Sequence, residues 1–108
     1  MREETTIMGH RVVFRTWTYG EKQDALRRAT KWRREPDGGL SPDVDPWTLN
    51  DLMLLVTVAE WDLTTAEGHP LPITLESLHG LEPPEIVEEM IAYTQRLNGV
   101  SREEGKKS

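Results

Sequence analysis

Two pairs of carboxylates sit close enough in the chain to suggest acid–base chemistry, Glu88 beside Glu89 and Asp62 with Glu67. Such work needs the two pKa values pushed apart, which requires an apolar cleft around one partner. Nothing in the flanking sequence isolates either pair, so a solvated face is the simpler reading. The three histidines, His10, His69 and His79, fall in or beside turns, without the second ligand at helical spacing that a metal site needs. Asp43 and Asp45 resemble the opening of a calcium loop, but the further ligands and central Gly of that loop are missing. No Ser lies in Gly-x-Ser-x-Gly, and Gly38-Gly39 is not followed by the Gly-Lys-Ser/Thr of a phosphate loop. With 0 Cys, a disulfide framework and a Cys-ligated zinc are excluded. These residues imply no enzyme, no cofactor and no metal.

One charged constellation stands out. Arg27, Arg28, Lys31, Arg33 and Arg34 form a basic cluster. It is followed by carboxylates at 35, 37, 43, 45, 51, 60, 62, 67, 76, 82, 85, 88 and 89, with no Lys or Arg until Arg96. The net charge of −6 hides this segregation, which bears on partners and not on fold. Three uses of the cluster are open: a solvated helix face, a protein-binding face, or phosphate contacts with Trp17 and Trp32 stacking on bases. The acidic remainder would repel a duplex and weighs against the last.

The elements that position these residues are legible in part. At 108 residues the chain is expected to be one domain, spanning residues 1–100, with a charged, disordered tail at 101–108. Alternation and β-branching over residues 11–17 predict a short strand, which residues 5–8 could pair across a turn at Gly9 and His10. Thr18-Tyr19-Gly20-Glu21 has the spacing of a capping box. A helix is expected from there to about Arg34, with Tyr19, Ala25, Leu26, Ala29 and Trp32 on one apolar stripe, Arg27, Lys31 and Arg34 opposite and Arg28 flanking. Residues 35–45 read as a Pro/Gly loop. Asp45-Pro46 starts a second helix, expected to reach about Trp61 and apolar nearly all round, so central to the fold or covered by a partner. Thr74 caps a short helix that stops at Gly80. Pro83-Pro84 opens the last helix, expected to end at Asn98 with Gly99 as a left-handed cap. Its stripe is Ile86, Met90, Tyr93, Thr94 and Leu97. The expected fold class is mainly α: a small N-terminal β-hairpin or strand, then three main helices and one short one.

Two stretches carry a family likeness. One is Glu60-Trp61-Asp62-Leu63-Thr64-Thr65-Ala66-Glu67-Gly68-His69-Pro70-Leu71-Pro72-Ile73-Thr74-Leu75-Glu76-Ser77-Leu78-His79-Gly80-Leu81. A Trp closes a buried helix, a polar loop with Gly follows, then Pro-Ile-Thr, Glu and Leu. The other is Arg11-Val12-Val13-Phe14-Arg15-Thr16-Trp17-Thr18-Tyr19-Gly20-Glu21, a strand running into Thr-x-Gly-Glu. Together they resemble the tail assembly chaperones of long-tailed (siphovirus-type) bacteriophages, over nearly the whole chain. The resemblance implies a non-catalytic protein that binds the aggregation-prone tape measure protein and helps recruit tail tube subunits. It implies a place in the host cytoplasm during infection and absence from the mature virion. It also implies that a longer form could arise by ribosomal slippage near Gly105.

With four Trp and no apolar run near 18 residues, the chain is expected to be a soluble, folded protein without a membrane anchor. The candidate partner-binding residues are Arg27, Arg28, Lys31, Arg34, Trp47, Leu54, Leu55 and Trp61. Weak self-association is expected from the charge segregation, with no nucleic acid and no membrane as partners. A nucleic-acid-binding regulator and a structural head–tail component are the alternatives.

Overall fold

Met8 and Gly9 both take positive φ, 48° and 86°, as a two-residue hairpin turn with matching twist requires. In the computed structural model, which describes residues 1–99, they join β1 (Arg2–Ile7) to β2 (His10–Arg15). The register sets Arg2 opposite Arg15 and Ile7 opposite His10. The expected N-terminal hairpin is therefore present. β2 is also the middle strand of a sheet, because β5 (Val58–Trp61) pairs antiparallel along its other edge. The ladder slips between Val13 and Phe14. A central strand is covered more fully than an edge, and Val12, Val13 and Phe14 are all buried.

Thr18 caps α1 (Tyr19–Ala29) through the expected box: its Oγ1 accepts from the Glu21 amide at 3.1 Å, and Glu21 Oε1 accepts from the Thr18 amide at 2.9 Å. Arg15 adds a fork, donating to Glu21 Oε1 at 3.0 Å and Oε2 at 2.7 Å. The Arg15 guanidinium, then the Thr18 amide, lower the Glu21 carboxyl from 4.5 to about 2. A depressed carboxyl contributes stability above its unfolded pKa and loses it as pH falls through the folded value. Glu21→Gln should therefore be less stable than the parent near neutral pH, by about 1 kcal/mol after solvent screening. Urea titrations should show that gap closing between about pH 5 and about pH 2. A gap independent of pH would mean that the charge of Glu21 does nothing.

The expected helix to Arg34 is cut short. At Thr30 the backbone turns extended (φ −98°, ψ 130°), and the chain enters β3 (Thr30–Arg34). This strand pairs with β4 (Leu40–Val44), Thr30 opposite Val44 and Arg34 opposite Leu40. Residues 35–39 close the hairpin: the Glu35 amide donates to Gly39 O at 2.8 Å and the Gly38 amide to Glu35 O at 3.0 Å. Gly38 at φ +89° supplies the left-handed residue such a loop needs.

α2 (Pro46–Thr57) starts as expected, with Asp45 accepting from the Trp47 amide at 3.1 Å and the Thr48 hydroxyl at 2.7 Å. It stops at Thr57 instead of Trp61. β-branched Val56, Thr57 and Val58 are poor helix formers, and the open edge of β2 offers Val58–Trp61 a ladder. α3 (Leu75–His79) is capped by Thr74 and stops at Gly80; α4 (Glu85–Leu97) runs into Gly99 at φ +72°. The expected mainly α class is thus overturned. Over the described residues the protein is α+β, 41% helical and 28% strand, with antiparallel sheets of 3 and 2 strands and 4 helices. The tail expected at 101–108 lies outside the described residues.

The core lies between the three-stranded sheet and α2, α3 and α4, built on Val12, Phe14, Leu54, Val58, Leu78 and Met90. Phe14 stacks on Tyr93 with ring centroids 4.7 Å apart. Two hydroxyls are fully buried and satisfied: Thr94 donates to Thr57 at 2.9 Å, and Thr57 donates to Met53 O at 2.8 Å. Asn98 Nδ2 donates to Thr94 Oγ1 at 3.0 Å, and Asn98 Oδ1 accepts from the Trp17 amide at 2.9 Å. This relay ties α2, α4 and the approach to α1 together. Thr94→Val removes its middle and should cost about 1–2 kcal/mol with an unchanged urea m-value. A loss of less than a few tenths would show that the relay is dispensable.

Candidate partner-binding surface

Strand residues alternate between faces, so the hairpin has two unlike sides. Thr30, Trp32 and Arg34 share one side with Leu40, Pro42 and Val44. Trp32 is 66% exposed, Leu40 62% and Val44 41%. The other side presents Lys31, Arg33, Ser41 and Asp43. Its charges are partly met, with Arg33 3.8 Å from Glu35 and Ser41 donating to Glu35. The apolar side has only Arg34 for a strand charge and no carboxylate from β3 or β4. An exposed Trp is the kind of residue that anchors binding, since a large ring is buried at little cost in side-chain entropy.

That side continues onto the helices. Trp32, Pro42 and Thr30 line a shallow recess of about 290 Å³ with Gln23, Leu26 and Arg27. Leu26 also borders a narrower, mostly apolar notch of about 180 Å³ between α1 and α2, lined by Trp17, Leu49 and Met53 with Lys22 and Gln95 at its rim. A dry cavity of about 150 Å³ holds one benzene, so the notch has room for one leucine- or phenylalanine-sized side chain. Recess, Leu26 ridge and notch form a single stripe. Lys22 and Arg27 beside it make no ion pair among the described residues.

The residues singled out from sequence are scattered by the fold. Arg27 reaches the stripe. Arg28, also on α1, is held by Asp24 at 3.1 Å. Lys31 and Arg34 leave the helix and sit on opposite sides of the hairpin, so the basic cluster is not one helix face. Trp47 is 77% exposed at the start of α2, away from both recesses. Leu54 has no exposed surface and belongs to the core, so no partner reaches it without unfolding; Leu55 is half-buried and packs against the same cluster. Trp61 is half-buried, and its Nε1 donates to Leu71 O at 2.7 Å, holding residues 62–72 against the sheet. Trp32 and Tyr19, expected on the buried stripe of the first helix, are on the surface; Trp17 was singled out only for stacking on bases, and Leu26 and Leu49 were missed as surface residues. The hairpin signal was present: Asp37-Gly38-Gly39 stands between two five-residue segments of alternating character.

The acid–base candidates remain on the surface. Glu88 and Glu89 are exposed on α4. Asp62 accepts from the Arg11 amide at 3.0 Å and lies 3.2 Å from His10 Nδ1. Those contacts, the Arg11 amide foremost, lower its pKa. His79 Nε2 lies 2.8 Å from Asp51, joining α3 to α2. Among the described residues no group of three or more His, Cys, Asp or Glu is arranged to hold a metal ion, and no helix is long and apolar enough to cross a membrane. No family model, curated protein or solved structure matches the chain.

Proposed function

We propose that this chain is a non-catalytic tail assembly chaperone that captures a helical segment of its tape measure protein along the Trp32–Leu26–Trp17 stripe. The likeness of residues 11–21 and 60–81 to that family supplies the client. The observation that carries the binding mode is the exposed Trp32 running into the notch across Leu26. An amphipathic helix presents anchors at i, i+3, i+4 and i+7, a spacing suited to two recesses separated by one ridge. Lys22 and Arg27 would favour acidic residues beside those anchors. The chaperone would also help bring tail tube subunits to the covered client, act in the host cytoplasm, and be left out of the finished virion.

Co-expression with the cognate tape measure protein tests this. The expected result is a client that stays in solution and co-purifies with the chain, and a chain that mass spectrometry does not find in purified particles. An insoluble client in the presence of abundant chaperone would contradict the reading, and so would a stoichiometric virion component. Retention on duplex DNA at about 150 mM salt should be negligible, because the basic residues are divided between elements and mixed with carboxylates. Tight, steeply salt-dependent retention would favour a nucleic-acid regulator instead.

A further inference from the structure

A wide concavity shares no lining residue with the stripe. It is a groove of about 740 Å³ bordered by the end of β5, residues 63–74 and α3. Its apolar lining comes from Leu63, Leu71, Pro72 and Leu81. Its charges are Asp62, Glu76 and Glu82, with His10 the only ionisable group among its lining residues that can become cationic. Asp62 is engaged by His10, but Glu76 and Glu82 have no ion-pair partner among the described residues. The groove is therefore acidic at the rim and apolar at the floor.

One surface of the same chain has the converse character. The outer half of the hairpin presents Trp32 and Leu40 with Arg34 between strand and turn, and neither Arg34 nor Arg27 has a carboxylate partner among the described residues. Apart from each other, β3 and β4 have no extensive packing with any element. Trp32 remains exposed, so the hairpin does not fill the groove of its own chain.

We infer that the groove of one copy receives the β3–β4 hairpin of a second copy, with Trp32 and Leu40 over Leu71 and Leu81 and Arg34 facing Glu76 and Glu82. Different surfaces meet at such a contact, so it is heterologous and propagates into rings or open filaments instead of closing as a two-fold dimer. Its exposed charge pairs are screened by salt, so assembly is strongest at low ionic strength. The groove shares no lining residue with the recess, the Leu26 ridge or the notch, but Trp32 serves both contacts, so a hairpin seated in a neighbour's groove is not open to client, whereas the groove variant keeps its whole client stripe.

Sedimentation velocity on three proteins tests it. The wild-type chain should show a mass that rises with concentration at about 20 mM salt and falls back towards monomer at about 500 mM. A hairpin variant (Trp32→Ala with Arg34→Ala) and a groove variant (Glu76→Lys with Glu82→Lys) should each be monomeric, with unchanged circular dichroism. Mixed one to one, they have one intact groove, on the hairpin variant, and one intact hairpin, on the groove variant. The truncated hairpin and the lysine-bearing groove left at the two ends offer each other neither an aromatic anchor nor an opposite charge, so the mixture should stop at a 1:1 dimer. Wild-type monomers at every concentration and salt would overturn the inference. So would variants that assemble as the parent does, or a mixture that stays monomeric. A groove variant that still assembles but no longer captures client would show that the client occupies the groove, and would overturn it too.

Discussion

Leu54→Asp should abolish cooperative folding. Leu54 has no exposed surface and is packed among Phe14, Val58 and Met90 in the core. An aspartate there either stays charged without a partner or protonates at a cost, and also leaves the space of the lost methyl groups. Together these amount to several kcal/mol, against a total stability for domains of this kind of about 5–15 kcal/mol. Circular dichroism should show no sigmoidal urea transition. Leu54→Ala, which only opens a cavity, should fold but lose about 2–5 kcal/mol. Leu55→Asp should be milder, because Leu55 is half-buried and its new charge can reach water. If Leu54→Asp folds normally and instead loses client, Leu54 belongs to a partner surface and the core described above is wrong.

Trp32→Ala should have the second largest effect, and on binding alone. The ring is 66% exposed in the free protein, so its removal deprives the core of nothing. Truncating a central aromatic anchor commonly costs at least about 2 kcal/mol of binding, or about 30-fold in Kd. Client affinity measured by titration calorimetry should fall by that factor while the urea midpoint stays within a few tenths of a molar. Leu26→Gln, on the ridge between the recesses, should weaken binding to a similar degree. Trp47→Ala removes a ring exposed to 77% but outside the stripe, and should leave affinity unchanged. Equal losses for Trp32 and Trp47 would indicate non-specific apolar attraction.

What could be read from the sequence follows the range of the interactions involved. The caps at Thr18, Asp45 and Thr74 and the left-handed Gly99 are local, and each is where its neighbours predict. Both helix C-termini that were overrun are set by distant partners. Thr30–Arg34 continues the helical spacing of α1, and only its ladder with Leu40–Val44 makes it a strand. Val58–Trp61 extends the apolar run of α2, and only the free edge of β2 diverts it. The change of period at Thr30 moved Trp32 from the core to the surface and split the basic cluster. Because the stripe joins residues of α1, α2 and the hairpin, its existence depends on packing that no single segment encodes.

The most direct measurement of the central claim is amide hydrogen exchange on the chain alone and saturated with its tape measure client. Added protection is predicted in α1 around Leu26, in β3 around Trp32 and in the first half of α2 around Leu49, with residues 62–82 unchanged at a salt concentration that suppresses self-association. Protection confined to residues 62–82, or none in α1 and β3, would contradict the stripe as the client-binding surface.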